Sequence, residues 1–228
     1  KKVKKQFGGN LRAFISGGGA LDKEIGEFLN AIGLPTLQGY GLTETSPIVS
    51  CNPIHKIKVE TVGPPFKGNK VKIAEDGEIL VKGENVMLGY WNKKEETKKV
   101  IKDGWLYTGD LGYRDEDGYI FLAGRAKDFI KRGGEMISPE EIEQILYTHP
   151  NVEEVAVIGL PDIQWGEIVT AVIKCKKDKY LTDDEILAFC NDKLASFKRP
   201  EKIIFISELP RNSMGKILKK DLRDKFSA

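Results

Sequence analysis

A chain of 228 residues can hold one large domain or two small ones, and 40% hydrophobic with 31% charged residues is ordinary composition for a protein that buries a core. A net charge of +2, from 36 basic and 34 acidic residues, excludes a global polycation and gives nucleic acid no support as a partner. No apolar run approaches the ~20 residues of a membrane-spanning helix, no secretory signal opens the chain, and a cytoplasmic setting is the expectation.

Cys51, Cys175 and Cys190 are odd in number and lack CxxC spacing, which argues against a disulfide framework or a zinc site and for buried free thiols. With His55 and His149 the only histidines, neither a histidine-rich metal cluster nor a histidine-activated nucleophile is expected.

In chain order, Lys1, Lys2, Lys4 and Lys5 read as a solvated helix end rather than a membrane-surface anchor. Leu11–Ile15 reads as a strand, residues 16–19 as a glycine loop, and Asp22–Ala31 as a helix. Leu21, Ile25, Phe28, Leu29 and Ile32 share its apolar side, and Gly33 follows its end. Pro35–Tyr40 is the next strand. This is a βαβ unit, which predicts a parallel sheet with a site at the carboxyl ends of its strands.

From Thr61 the texture changes to short β runs. Lys70–Ile73 and Glu78–Val81 flank a turn at residues 75–77, and Trp105–Leu106 precedes a hairpin strand at Tyr119–Leu122, entered through Asp117-Gly118 and broken by Gly124. An exposed helix is expected over Asn92–Lys102, its charges a solvated face. Trp91, Trp105 and Trp165 read first as packing residues.

Beyond it, Arg125, Lys127, Asp128, Lys131 and Arg132 place four cations and one carboxylate within eight residues, and Gly133-Gly134 lets the backbone turn tightly. Ser138, Pro139 and Glu141 predict a helix over Pro139–Tyr147 with a capping box. Strands at Val152–Ile158 and Ile168–Lys174, a helix at Asp183–Leu194 with a second capping box from Thr182 and Glu185, a strand at Lys202–Ile206 and a helix from Lys216 complete a compact α+β unit. The boundary is expected near Ala126 and Lys127.

Four separated stretches, QGYGLTETSP from Gln38, YTGDLG from Tyr107, GRAKDFIKRGGEMISPEEIE from Gly124 and LPRNSMGKILKKDL from Leu209, together resemble the adenylate-forming acyl-CoA synthetases, relatives of luciferases and peptide-synthetase adenylation domains. Their order and spacing match as well. The fold that the resemblance implies is α/β plus α+β. Residues 1–126 would be the carboxyl-terminal part of a large AMP-binding domain (βαβ over 1–54, β subdomain over 55–126), and residues 127–228 the small mobile domain.

The chemistry implied is attack of a carboxylate on the α-phosphate of ATP, giving acyl-AMP and pyrophosphate, followed by displacement of AMP by the thiol of coenzyme A. Such transfer rests on positioning and charge neutralisation. By the resemblance, Glu44 ligates magnesium, a hard oxygen for a hard cation. Thr43 donates to the α-phosphate, Tyr40 lies against adenine, and Gln38, Gly39, Gly41 and Leu42 complete the nucleotide loop. Asp110 accepts the ribose hydroxyls, joined by Arg125. Gly17 and Gly18 line the acyl pocket, Lys216 is the adenylation lysine, and Lys127 is the hinge about which the small domain exchanges Lys216 for the Lys131–Gly134 loop. Gly133 and Gly134 then line the pantetheine channel. Where some relatives carry a second lysine, this chain has Gly133.

The family's phosphate loop, a Ser/Thr/Gly-rich run ending in Pro-Lys, is absent from these residues, as is GxxxxGK[ST]. The chain therefore looks like the carboxyl-terminal portion of a longer enzyme, with little activity by itself and with sheet edges that invite self-association. Its small-molecule partners would be ATP, coenzyme A and a fatty acid of medium or long chain. The alternatives are an aryl or succinylbenzoate ligase, a peptide-synthetase domain, or a non-catalytic nucleotide-binding module.

Overall fold

The structure, a computed structural model, describes residues 2–213 and 215–227, except for the side chains of residues 2 and 3. The chain divides into two compact units, 1–123 and 124–228.

The first unit opens with a short helix α1 (Lys2–Gln6) and the βαβ unit that the sequence predicts: β1 (Phe14–Ser16), α2 (Lys23–Ala31) and β2 (Thr36–Gly41), with β1 and β2 parallel. β1 is shorter than expected, because only Phe14, Ile15 and Ser16 find partners on β2. Asp22 caps α2, its carboxylate accepting from the Ile25 amide at 2.9 Å. The apolar stripe of α2 is not buried: Ile25 and Phe28 are 53% and 61% exposed, and only Gly26 is enclosed, against the side chains of Leu21 and Val59. A third strand that the sequence did not reveal, β3 (Ile48–Cys51), pairs antiparallel with β2.

A second, antiparallel sheet follows. β4 (Lys70–Ile73) and β5 (Glu78–Lys82) form a hairpin, and β5 pairs with β7 (Trp105–Arg114), which also pairs with β6 (Ile101–Lys102) and β8 (Ile120–Arg125). The exposed helix α3 is confined to Lys94–Val100, since its last expected residues extend as β6. β7 is ten residues long, far beyond the two expected. Gly124 does not break β8: at φ +121° it lets the strand continue to Arg125 where a Cβ would strike the Glu140 carboxylate at 2.5 Å. Val49, Val62, Ile79, Val81 and Ile120 form the core.

The second unit is built on a mixed sheet. β9 (Ile130–Arg132) and β10 (Glu135–Ile137) make a hairpin, β9 meets β12 (Gly166–Cys175), β12 pairs antiparallel with β11 (Val152–Asp162), and β13 (Lys202–Phe205) adds in parallel. Helices α4 (Pro139–Tyr147) and α5 (Asp183–Cys190) close one core, with Ile130, Ile142, Leu146, Val157, Ile173 and Ile186 enclosed; burial of each such side chain contributes about 1.5–3 kcal/mol. α6 (Lys219–Phe226) closes a second core through Leu222.

The Thr182–Glu185 capping box forms as expected. The one at Ser138 does not: its hydroxyl donates to Glu140 at 3.2 Å, while Glu141 is drawn away to Lys198 at 2.7 Å, and Pro139 alone marks the start of α4. α5 ends at Cys190, four residues early. The last helix begins at Lys219 rather than Lys216, because Arg211 and Ile217 form an antiparallel bridge that keeps Lys216 in a loop. Cys190 is buried, whereas Cys51 and Cys175 are half-buried; all three are free thiols raised in pKa by burial. Among the described residues no helix is long and apolar enough to cross a membrane.

Candidate active site

Strand alternation sets the first part of the site. β2 buries Thr36, Gln38 and Tyr40, and its glycines face the other way. Gly41 then allows an unusually close approach, since a Cβ there would lie 1.7 Å from the Pro47 carbonyl oxygen. That approach folds residues 42–47 into a tight loop around one 3-10 turn, Thr43–Thr45. Thr45 is its buried pin: the hydroxyl accepts from the Leu42 amide at 2.9 Å and faces the Pro47 carbonyl at 2.8 Å. Pinning Thr45 inward leaves Thr43 exposed and Glu44 half-buried.

Glu44 is held by a residue that the sequence did not single out. The Tyr90 hydroxyl donates to Oε1 at 2.9 Å, and the Glu44 carbonyl accepts from the Met87 amide at 2.8 Å. Asn85 reaches the same loop, donating to the Thr45 and Ile48 carbonyls at 3.1 and 3.0 Å. Burial, and next the Glu44 anion, push the Tyr90 phenol above its ordinary range. Residues 85–90 carry no periodic or charged signal, so only three-dimensional proximity exposes this brace.

Asp110 is aimed by a β-bulge. Glu78 pairs with Leu111 but Leu80 with Tyr107, so one residue of β5 faces three of β7, with Gly109 at φ +71°. Gly109 donates to Glu78 at 2.7 Å, and the Thr108 hydroxyl donates to the Ile79 carbonyl at 2.7 Å. Asp110 is left 7% exposed, accepting the Tyr40 hydroxyl at 2.7 Å. The glycine loop reaches the same strand ends: Ser16 pairs with Gln38, and a Cβ on Gly17 would come within 3.7 Å of the Gly39 carbonyl. Thus the first unit brings together Gly17, Gln38–Glu44 and Asp110, with Gly18 next in the loop.

The second unit carries the other expected residues. Arg125 ends β8, half-buried, and its carbonyl closes the turn containing exposed Lys127. Asp128 pairs with Arg223 at 2.8 Å. Gly133 and Gly134, at φ +57° and +91°, form the two-residue hairpin turn between β9 and β10, a conformation in which both central residues need positive φ. The exposed Lys131 is fixed by its backbone, its amide donating to Glu167 at 2.7 Å. Trp165 frames this turn. Its carbonyl accepts from the Gly133 amide at 2.8 Å, its ring lies where a Gly133 side chain would go, and the Arg132 guanidinium stacks on it at 4.5 Å. The expectation of packing is met only in part by Trp165, which is 38% exposed beneath Arg132, and fails for Trp91, which is 89% exposed.

Lys216 is exposed in the loop before α6, its amide donating to Asn212 Oδ1 at 2.9 Å. Lys219, three residues on, is drawn inward to Glu143 at 2.8 Å and Glu140 at 3.7 Å. Among the described residues no group of three or more His, Cys, Asp or Glu could cage a metal. A single carboxylate with a phenol fixing one oxygen suits magnesium, which takes one or two protein carboxylates and completes its shell with phosphate and water.

Comparison with known proteins adds independent findings. Residues 1–91 match the sequence model described as AMP-binding enzyme, and residues 141–216 match that of the AMP-binding enzyme C-terminal domain. A 2-succinylbenzoate–CoA ligase from Bacillus cereus is 41% identical over 225 residues, covering 94% of this chain and 46% of the relative. The chain spans about half the length of the curated relatives it matches. Among solved structures, ATP-bound MatB from Rhodopseudomonas palustris superposes with a TM-score of 0.89 at 38% identity, covering 98% of this chain and 47% of that one. The o-succinylbenzoate CoA synthetase of Bacillus subtilis with its acyl-adenylate intermediate gives 0.87 at 33% identity, covering 97% and 49%. A structure of the same synthetase with ATP and magnesium ion gives 0.85 at 34%, covering 93% and 46%.

Proposed function

We propose a function for this chain from one premise: it belongs to the AMP-binding enzyme family. The protein of which these residues form the whole or a part is an AMP-forming acid–thiol ligase. A substrate carboxylate oxygen attacks the α-phosphorus of ATP and pyrophosphate leaves; the thiolate of coenzyme A then attacks the acyl carbon and AMP leaves.

The observation that carries this reading is the bond from Tyr40 to Asp110 beside the Thr43–Glu44 turn. It sets an aromatic ring, a buried carboxylate and an exposed hydroxyl around one set of strand ends, as adenine, ribose and α-phosphate require. In this reading Asp110 accepts from the ribose hydroxyls, Thr43 donates to the phosphate, and Gly17 and Gly18 leave room for the acyl group. Glu44 holds magnesium, which when bound neutralises phosphate charge. Arg125 assists at the ribose, Lys216 stabilises charge on the attacked phosphate, Lys127 is the hinge, and Lys131 with Gly133 and Gly134 serves the thioester step. Residues 1–126 act as the end of the large domain and 127–228 as the mobile one. A cytoplasmic setting belongs to the same reading.

For the acid, the sequence leans to a medium or long fatty acyl chain, whereas the named relatives support an aryl carboxylate of the succinylbenzoate kind. We adopt the latter. The 228 residues alone turn over weakly in this reading, because no phosphate-loop run occurs in them, and the exposed Ile25 and Phe28 favour self-association of the isolated chain. Pyrophosphate exchange by the intact protein against a panel of aryl and fatty acids is the test. Exchange with the aryl acids supports the assignment, exchange only with fatty acids reverses the choice of acid, and none with any carboxylate overturns the ligase.

A further inference from the structure

We propose that Arg211 is a positioning residue for Lys216, its guanidinium tying the loop that carries the lysine to Glu154 on β11. The inference rests on Lys216 being the adenylation lysine.

The loop is a small closed hairpin. Its stem is set by the Leu218 amide on the Pro210 carbonyl at 2.8 Å and by the antiparallel bridge of Arg211 with Ile217. Leu209, at 1% exposure, and Ile217 anchor that stem in the core with Leu222. Polar bonds close the tip: the Asn212 amide to the Lys216 carbonyl, the Gly215 amide to the Asn212 carbonyl and the Lys216 amide to Asn212 Oδ1, each at 2.9 Å. A short two-stranded hairpin is marginal in water, so a tether from the stem to a paired strand favours one geometry of the tip.

Arg211 supplies that tether from the stem. Nη1 donates to the carbonyl of Gly215, the residue directly before Lys216, while Nη2 meets Glu154 Oε2 at 2.5 Å. Glu154 lies on a paired strand opposite Lys174, whose ammonium reaches Glu153 at 2.7 Å and Glu154 at 3.4 Å. The chain of contacts therefore runs from the tip, through one rigid planar fork, to the most extensively paired strands of the unit. A lysine offers one flexible point charge in place of the two donor nitrogens that the guanidinium holds in a rigid plane. Because Arg211 is exposed and Glu154 only half-buried, removal of the pair changes global stability little. Its removal acts on how long the Lys216 backbone stays in place, and misplacement of a reacting group on the ångström scale is costly to rate.

The test uses the intact protein with Arg211→Lys, Glu154→Gln and Lys216→Ala. Three quantities are read: pyrophosphate exchange, thioester formation from supplied acyl adenylate, and amide hydrogen exchange at Gly215 and Lys216 against the β11–β12 amides. For Arg211→Lys and Glu154→Gln we expect kcat of adenylation to fall about tenfold or more, KM for ATP and acid to stay within about twofold, and thioester formation to be unchanged. Exchange at Gly215 and Lys216 should quicken while β11–β12 holds. Unchanged exchange at the tip, or unchanged adenylation in variants whose tip has loosened, overturns the proposal while Lys216→Ala remains slow. Normal adenylation by Lys216→Ala instead removes the functional assignment of Lys216 and the proposal with it. Loss of both half-reactions together with β11–β12 protection assigns Arg211 to general folding and also overturns it.

Discussion

Tyr40 donates its phenolic hydrogen to Asp110 Oδ2 at 2.7 Å, joining residues 70 positions apart across two sheets. Both side chains are buried, so the bond fixes the direction of the carboxylate. Asp110→Ala is expected to abolish AMP binding in calorimetric titration. Tyr40→Phe keeps the ring but removes the hydroxyl, and should weaken AMP about tenfold and lower unfolding stability by about 1–2 kcal/mol. Equal affinity in Asp110→Ala and the parent would remove this pair from the nucleotide site.

Tyr90 stands to Glu44 as Tyr40 does to Asp110, and its phenol is raised by burial and then by the Glu44 anion. Neutralising that anion with Glu44→Gln must lower the Tyr90 pKa towards its ordinary value, seen as an earlier limb in ultraviolet titration of tyrosinate. Tyr90→Phe should raise the magnesium concentration needed for half-maximal adenylation about threefold to tenfold, since a freely rotating carboxylate is a poorer ligand. Magnesium dependence identical to the parent would show that Tyr90 merely fills space.

Gln38–Glu44 and Asp110 are reached in sequence through the resemblance of QGYGLTETSP and YTGDLG to the acyl-CoA synthetases, and the structure sets them at one group of strand ends. The brace from Asn85 and Tyr90 is not legible in sequence, because neither residue type nor spacing distinguishes them from ordinary loop residues. The same holds for the fold. The βαβ unit and the α+β unit follow from periodicity and caps. By contrast β3 is only four residues long and directly follows Pro47, and the delayed start of α6 depends on a bridge between Arg211 and Ile217 that helix propensity opposes. The missed cap at Ser138 has a tertiary cause, the pull of Lys198 on Glu141.

Gly41 and Gly19 provide a matched contrast. A methyl at Gly41 meets the Pro47 carbonyl, backbone that cannot step aside, whereas a methyl at Gly19 meets nothing within 4 Å. Gly41→Ala is expected to cost about 3 kcal/mol and to displace the Thr43–Glu44 turn; Gly19→Ala should lie within about 0.5 kcal/mol of the parent. Denaturant unfolding of the two variants measures this. Comparable midpoints would show that the loop tolerates being pushed open.

Glu154 gives a pH signature. The Arg211 hydrogen bond, opposed in part by burial, holds its carboxyl below the ordinary range, with Lys174 adding in the same direction and Glu153 sharing that lysine. A depressed folded-state pKa means that the stabilising contribution is present above the unfolded carboxylate value of about 4.3 and is lost as pH falls through the lower folded value. Carboxylate titration by NMR should therefore show Glu154 moving up in Arg211→Gln, and the protection of the Gly215 amide relative to its intrinsic exchange rate should fall in acid in the parent but not in Glu154→Gln. A Glu154 titration insensitive to Arg211 would sever the link.

Lys216 and Lys219 separate function from stability within one short segment. Lys219 is largely buried against Glu143, which also accepts the Val157 amide at 2.7 Å, and burial pushes the Glu143 carboxyl up despite the nearby ammonium. Lys219→Ala strands that carboxylate, at a cost of about 3 kcal/mol. A folded-state pKa raised still further makes the loss greatest at high pH and relieves it as pH falls and Glu143 takes up a proton. Lys216 is exposed, so Lys216→Ala should alter stability by less than about 0.5 kcal/mol, yet slow adenylation about a hundredfold or more by removing charge at the attacked phosphate. Unfolding at pH 5 and pH 8 beside pyrophosphate exchange reads both effects. If Lys219→Ala proved the slow, stable variant and Lys216→Ala the unstable one, the catalytic lysine would have been assigned to the wrong side of the loop.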